Sequence, residues 1–157
     1  MALLNRRRVV GLAALAAIAI AAFVVAYFEP QKLVLDDRVA EAAPAGAART
    51  LSSATFRSYE HATSGRARVI ALADGRRYVR FERFRTSNGP ALKVYLSAAP
   101  AAGPGGTFDD RFVDLGDLKG NIGAQNYAIP RNVRLGAYRS VVIWCKRFGV
   151  PFAAAAL

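Results

Sequence analysis

The sequence predicts an all-β domain behind one apolar helix: an antiparallel β-sandwich or jelly-roll-like barrel preceded by a single N-terminal transmembrane helix. Three observations predict it. After Phe28 no segment sustains an apolar repeat of 3.6 residues, and about eight short runs of strand texture are separated by turn residues instead. Before that point lies one uninterrupted apolar run, Val9–Phe28, behind three arginines. Finally, YRSVVIWCKRF (Tyr138–Phe148) is apolar on both sides of an extended chain: Val141, Ile143 and Cys145 on one, Val142 and Trp144 on the other. Such a strand must be covered on both faces.

The apolar run has 20 residues, the ~20 a helix needs to cross a bilayer core. Arg6, Arg7 and Arg8 precede it and no charge interrupts it, so residues 1–8 are read as a basic cytoplasmic N-terminus. Tyr27 and Phe28 stand where an interfacial aromatic anchor belongs. Membrane contact through Val9–Phe28 and an extracytoplasmic domain, periplasmic or extracellular, are the expectation. A signal sequence has a shorter apolar core, ~7–15 residues, with small residues after it. Val24-Val25-Ala26 lies inside the run and Ala40-Glu41-Ala42 well past it, so a retained anchor is the expected form. Cleavage, which would secrete the domain, is the alternative.

Glu29-Pro30 ends the helix, and residues 29–50, alanine-rich with Pro44 and Gly46, read as a linker to a domain spanning 51–157. Within the domain, Thr55–Tyr59 is a candidate first strand. Arg66–Leu72 and Tyr78–Phe84 flank Asp74-Gly75, a strong hairpin signal because both positions tolerate positive φ. The alternation slips after Phe81, since Phe84 would otherwise face outward, and a bulge near Glu82-Arg83 repairs it. Asn88-Gly89-Pro90 makes a turn before LKVYLS (Leu92–Ser97). Ala98–Thr107 reads as a flexible surface loop with nothing to bury. Phe112–Leu115, Ala124–Ile129, Val141–Cys145 and Val150–Ala155 complete the strands.

Composition narrows the function. The net charge is +11, and removing the three N-terminal arginines leaves +8 on residues 29–157. That surplus suits an anionic surface or an acidic partner. With no recognition-helix pattern and no dense basic run in the domain, nucleic acid is not an expected partner. One cysteine excludes an internal disulfide, and one histidine excludes a two-histidine copper site or a four-ligand Cys/His zinc site. No metal site is expected. Asp109, Asp110, Asp114 and Asp117 lack the spacing of a calcium loop and suit turn-capping. Gly103-Pro104-Gly105-Gly106 does not join a strand to a helix, so it is no phosphate loop. No serine sits in a nucleophile elbow, and no carboxylate pair faces a sugar cleft.

What remains is a short set of candidates. Cys145 is either a small core residue or a redox thiol, whose thiolate Lys146 and Arg147 would favour if it is accessible. His61, before a turn, either satisfies its loop or serves as a ligand to haem iron. Asn88, Asn121, Gln125, Asn126 and Tyr127, with Trp144, either satisfy loop backbone or line a ligand cleft at one end of the sandwich. Whether any cofactor binds stays open at this point.

HATSGRARV, ADGRRYVRFERFRTSNGPALKVYLS, DLGDLKGNIGAQNYAIP and YRSVVIWCKRFGVPFAAAAL, in that order, resemble the DM-thirteen electron-transfer domain. This small β-domain accompanies DOMON domains in animal proteins and stands alone on bacterial membrane anchors. The resemblance covers Leu51 to Leu157. One departure is Ala91, where the family loop TSNGPDL would carry aspartate; the change argues against a ligand or metal role for that loop. The resemblance implies a β-sandwich-like module whose shared cysteine, here Cys145, takes part in electron transfer with a redox partner protein. A non-catalytic module that binds a cell-envelope ligand or protein, with a structural cysteine, is the competing expectation.

Overall fold

The computed structural model describes residues 2–28, 35–46 and 48–157. Helix α1 (Ala2–Phe28) contains the expected apolar run; its stretch Arg6–Tyr27 is apolar and long enough to cross a membrane and has none of its surface buried in the protein. A signal sequence would satisfy the same test.

The domain is a sandwich of two five-stranded sheets. The first has the order β1 (Arg38–Ala40), β8 (Ile122–Ile129), β5 (Arg77–Arg85), β4 (Ser64–Leu72), β2 (Ala48–Thr55). The second runs β3 (Arg57–Ser58), β10 (Val150–Ala156), β9 (Ser140–Cys145), β6 (Leu92–Ser97), β7 (Phe112–Asp117). All these pairings are antiparallel except β1 with β8.

Local chemistry explains most boundaries. Asp74-Gly75 closes the β4–β5 hairpin, with Gly75 at φ 82°. The bulge falls where the alternation slips: the β5–β8 register shifts between Phe81 and Phe84, Arg83 adopts φ 50°, and both phenylalanines turn into the core. The predicted strand Thr55–Tyr59 is interrupted at Phe56. There the chain leaves one sheet as β2 and enters the other as β3, and the Phe56 ring packs edge-on against Phe81 and Phe84. A strand that switches sheets makes the corner of a sandwich.

Strand β9 is buried at all six positions. Val141, Ile143 and Cys145 join the core between the sheets. Val142 and Trp144 face the other way, into a smaller cluster with Tyr95, Phe108 and Ala154. That second cluster corrects the reading of Ala98–Thr107 as a loop with nothing to bury. Ala99 and Ala101 pack against the cluster, Phe108 at the loop's end is fully buried, and the Tyr59 hydroxyl donates to the carbonyls of Ala101 (2.8 Å) and Gly103 (2.7 Å). The loop is a cover for the outer face of β9.

Residues 29–50 also differ from a plain linker where they are described. Arg38–Ala40 and Ala48–Thr50 belong to strands of the first sheet; residues 29–34 and 47 lie outside the described residues. The parallel strand β1 needs close backbone approach, and Gly123 permits it. A Cβ there would collide with the Val39 carbonyl oxygen, on a backbone with φ +110° that favours glycine.

Candidate functional site

The loop Ser87–Ala91 joins β5 to β6 at the end of the sandwich opposite the Asp74-Gly75 hairpin, and Cys145 ends β9 beneath it. The register pairs Cys145 with Leu92 on one side and Val150 on the other. The thiol is fully buried, and Sγ donates to the Pro90 carbonyl at 3.3 Å. Pro90 is also part of the floor of a surface cleft of about 280 Å3, whose walls include His61, Phe148, Val150 and Phe152. The sulfur therefore lies one residue beneath the cleft.

His61 is half-buried, its ring stacked on Phe152 with centroids 3.8 Å apart. The β3-to-β4 connection holds it there, through Glu60 N donating to the Pro151 carbonyl and Thr63 hydroxyl bonding to the Thr86 hydroxyl. Among the described residues neither imidazole nitrogen has a hydrogen-bond partner in the protein. Phe148, at the tip of the β9–β10 hairpin, is 58% exposed. A planar group entering this cleft would meet aromatic surface and one unpartnered imidazole.

The amide candidates have a different fate. Asn121 is 2% exposed; its Oδ1 accepts from Asp37 N (2.7 Å), and its Nδ2 donates to Asp36 Oδ1 (2.8 Å) and the Thr86 carbonyl (3.0 Å). Asn88 donates to the Leu35 carbonyl and Asp37 Oδ2, both at 3.0 Å, and accepts from Gly89 N. Asn126 donates to the Ala42 carbonyl and accepts from Arg80, while its own N–H donates to Glu41 Oε2. Together these groups clamp the segment 35–42 onto the edge of β8. Behind them, buried Gln125 donates to the Gly120 carbonyl and accepts from the Tyr127 hydroxyl, which in turn accepts from Lys119 N. Burial pushes the Tyr127 hydroxyl well above its ordinary pKa, so it stays protonated as a donor. Trp144 is 3% exposed under the 98–108 cover. The structure thus brings Cys145, His61 and Asn88 to one end, and turns Asn121, Gln125, Tyr127 and Trp144 inward.

Burial alone would raise the Glu41 carboxyl, but its hydrogen bonds to Lys119 and to Asn126 N hold it below the ordinary carboxylate value. Among the described residues no group of three or more His, Cys, Asp or Glu side chains could hold a metal. His61 could offer a haem iron one imidazole nitrogen. The cleft is smaller than the ~300–1,000 Å3 of sites that enclose a small molecule, so it can grip an edge of such a group without enclosing it. The residues that sequence reading did not single out are Pro90, Phe148 and Phe152. The visible signal was an apolar residue, Phe148, inside the otherwise polar turn Lys146–Gly149.

The class these features define is a small β-sandwich module with a buried single thiol under a surface cleft. The family model described as "Electron transfer DM13" matches residues 55–157, and the chain belongs to that family. No curated protein and no solved structure matches it.

Proposed function

We propose that the protein is a membrane-anchored, extracytoplasmic electron-transfer module centred on Cys145, with the cleft above it as the docking place for a redox partner protein. The observation that carries this reading is the Sγ–Pro90 contact: the one thiol is protected from bulk solvent, yet it sits directly under the floor of the one described cleft that carries an unpartnered imidazole. A cleft too small to enclose a cofactor suits a group carried by the partner and presented by its edge.

In the redox step the Cys145 S–H bond breaks. One electron passes to the partner's oxidised one-electron group and the proton leaves to water or His61 in the cleft. The reverse transfer restores the thiol. Burial shields the oxidised sulfur from water and from other thiols, so reaction by thiol–disulfide exchange would require the Pro90 loop to move. The family's description and the buried but cleft-adjacent position support this reading over a purely binding role, because most of the amides that a binding role would use are spent on internal hydrogen bonds.

The test uses the full chain in lipid nanodiscs with ferricyanide as one-electron acceptor. The expected result is reduction of one equivalent per chain, lost in Cys145→Ser, with native-state thiol alkylation slow until denaturant is added. Equal ferricyanide reduction by Cys145→Ser would sink the cysteine-centred reading and leave the binding-module reading in its place.

A further inference from the structure

We propose that the tip of the β9–β10 hairpin, Lys146-Arg147-Phe148, docks on the anionic headgroup layer of the membrane that α1 spans, which turns the cleft over Cys145 toward the bilayer. The inference rests on the reading of α1 as a retained anchor and goes beyond it by assigning the domain's orientation.

Two independent observations place this end next to the membrane. The Arg147 guanidinium lies 3.8 Å over the ring of Tyr27, in the last turn of α1. Separately, Asn88 pins the chain at Leu35, and the residues between Phe28 and Leu35 reach at most about 25 Å even fully extended. Asn88 and Phe148 line the same cleft, so the chain enters the domain at the end where the hairpin tip projects. The opposite end, at Asp74-Gly75, is a nine-residue strand away, roughly 30 Å.

The tip also has the chemistry of an interfacial contact. Phe148 is 58% and Leu35 61% exposed, two of the four large apolar side chains that the described part of the domain leaves in solvent, and both belong to this end. Lys146 is exposed beside Phe148, and Arg147 shares its charge with an aromatic ring placed where a bilayer interface begins. An exposed aromatic flanked by cations suits anionic headgroups, into which the ring inserts while the cations stay with the phosphates. Glu60 on the cleft rim is an opposing charge, as is Asp117 in the neighbouring cleft beside Asn88, which pairs with Lys93; Asp36 and Asp37 are held in the clamp by Asn121 and Asn88. A partner's redox group must then reach the cleft along the membrane surface.

The test places tryptophan at the tip. Full-length Phe148→Trp and Arg131→Trp, the latter in the loop beside Gly75 at the far end, are reconstituted into vesicles of mixed zwitterionic and anionic lipid containing brominated chains. Fluorescence is corrected for buried Trp144, and flotation records whether the protein stays with the vesicles. The expected result is flotation with at least threefold stronger quenching at position 148 than at 131. That excess should fall in purely zwitterionic vesicles and in Phe148→Trp carrying Lys146→Glu. Flotation with equal quenching at both positions would overturn the docking and leave the anchor standing. Failure to float would overturn both.

Discussion

Asn88 stands between two neighbourhoods that treat polar atoms in opposite ways. On one side, Asn88, Asn121, Asn126, Gln125, Tyr127 and Glu41 form a clamp whose buried donors and acceptors meet partners inside the chain. On the other, His61 carries two ring nitrogens without hydrogen-bond partners among the described residues, above a buried thiol whose hydrogen bond to Pro90 closes the cleft floor. The clamp is architecture: a satisfied buried network fixes one arrangement of the chain. The cleft leaves an imidazole and aromatic surface facing solvent, and the proposed docking uses those groups.

The largest effect should come from breaking the clamp at its centre. Asn121→Ala removes three hydrogen bonds and leaves the Asp37 N–H and Thr86 carbonyl to find new partners. The expected loss is about 3 kcal/mol, read from chemical unfolding followed by Trp144 fluorescence. Hydrogen exchange should rise first at residues 37–41. A loss below ~1 kcal/mol would show that the segment 35–42 is only loosely held and that the contrast with the cleft is overstated.

Cys145→Ser comes next. The hydroxyl replaces a thiol in an apolar site, and a buried hydroxyl without a good partner costs ~1–3 kcal/mol; the Pro90 carbonyl moderates this. The same variant tests the redox reading, so a fold that survives with electron transfer lost separates chemistry from packing.

Ala91 offers a gain. It adopts φ 53°, a left-handed conformation that costs an alanine about 1 kcal/mol, and its carbonyl accepts from Lys146 N. Aspartate tolerates this conformation better, which gives the aspartate of the resembling loop a backbone reason in place of a ligand role. Ala91→Gly should stabilise the protein by up to about 1 kcal/mol, measured as a rise in the unfolding midpoint.

How much of this was legible beforehand depends on how local its cause is. The Asp74-Gly75 hairpin, the bulge at Glu82-Arg83 and the two-sided burial of β9 come from neighbouring residues, and their patterns could be read directly. Strand β1 could not: three residues, Arg38-Val39-Ala40, carry no periodicity, and their partner strand starts 84 residues away at Ile122. Cover of β9 by the 98–108 segment hinges on one aromatic, Phe108, at the end of a stretch of alanine, glycine and proline. In the site, Cys145 and His61 were visible as residue types. Their shared cleft was not, because Pro90 connects them only through the fold. The amides read as ambiguous for a sound reason: burial with partners and exposure to a ligand use the same side chains, and only their hydrogen bonds separate the two.

The clamp also carries a pH signature. The Glu41 carboxyl is held below its ordinary value of 4.5 by Lys119 and Asn126, so its stabilisation is fully present above the unfolded pKa. It is lost as pH falls through the lowered folded value. Acid titration should therefore loosen residues 38–42 below pH ~4, and Glu41→Gln should flatten that dependence, both visible as exchange protection of the Asn126 amide. Unchanged protection down to pH ~3, well under the ordinary value of 4.5, would mean that Glu41 is a bystander.

The smallest stability effect and the sharpest functional one should coincide at His61. Its half-buried ring makes one stack, on Phe152, among the described residues, so His61→Ala should shift stability by less than ~1 kcal/mol. If the cleft is where redox groups dock, haemin should shift its Soret band on mixing with the parent protein and should not do so with His61→Ala. An imidazole with a free ring nitrogen facing solvent can coordinate an iron brought to the rim. A Soret shift that persists in His61→Ala but disappears in Asn88→Ala would reverse the assignment, making the clamp the ligand site and the open histidine a loop residue.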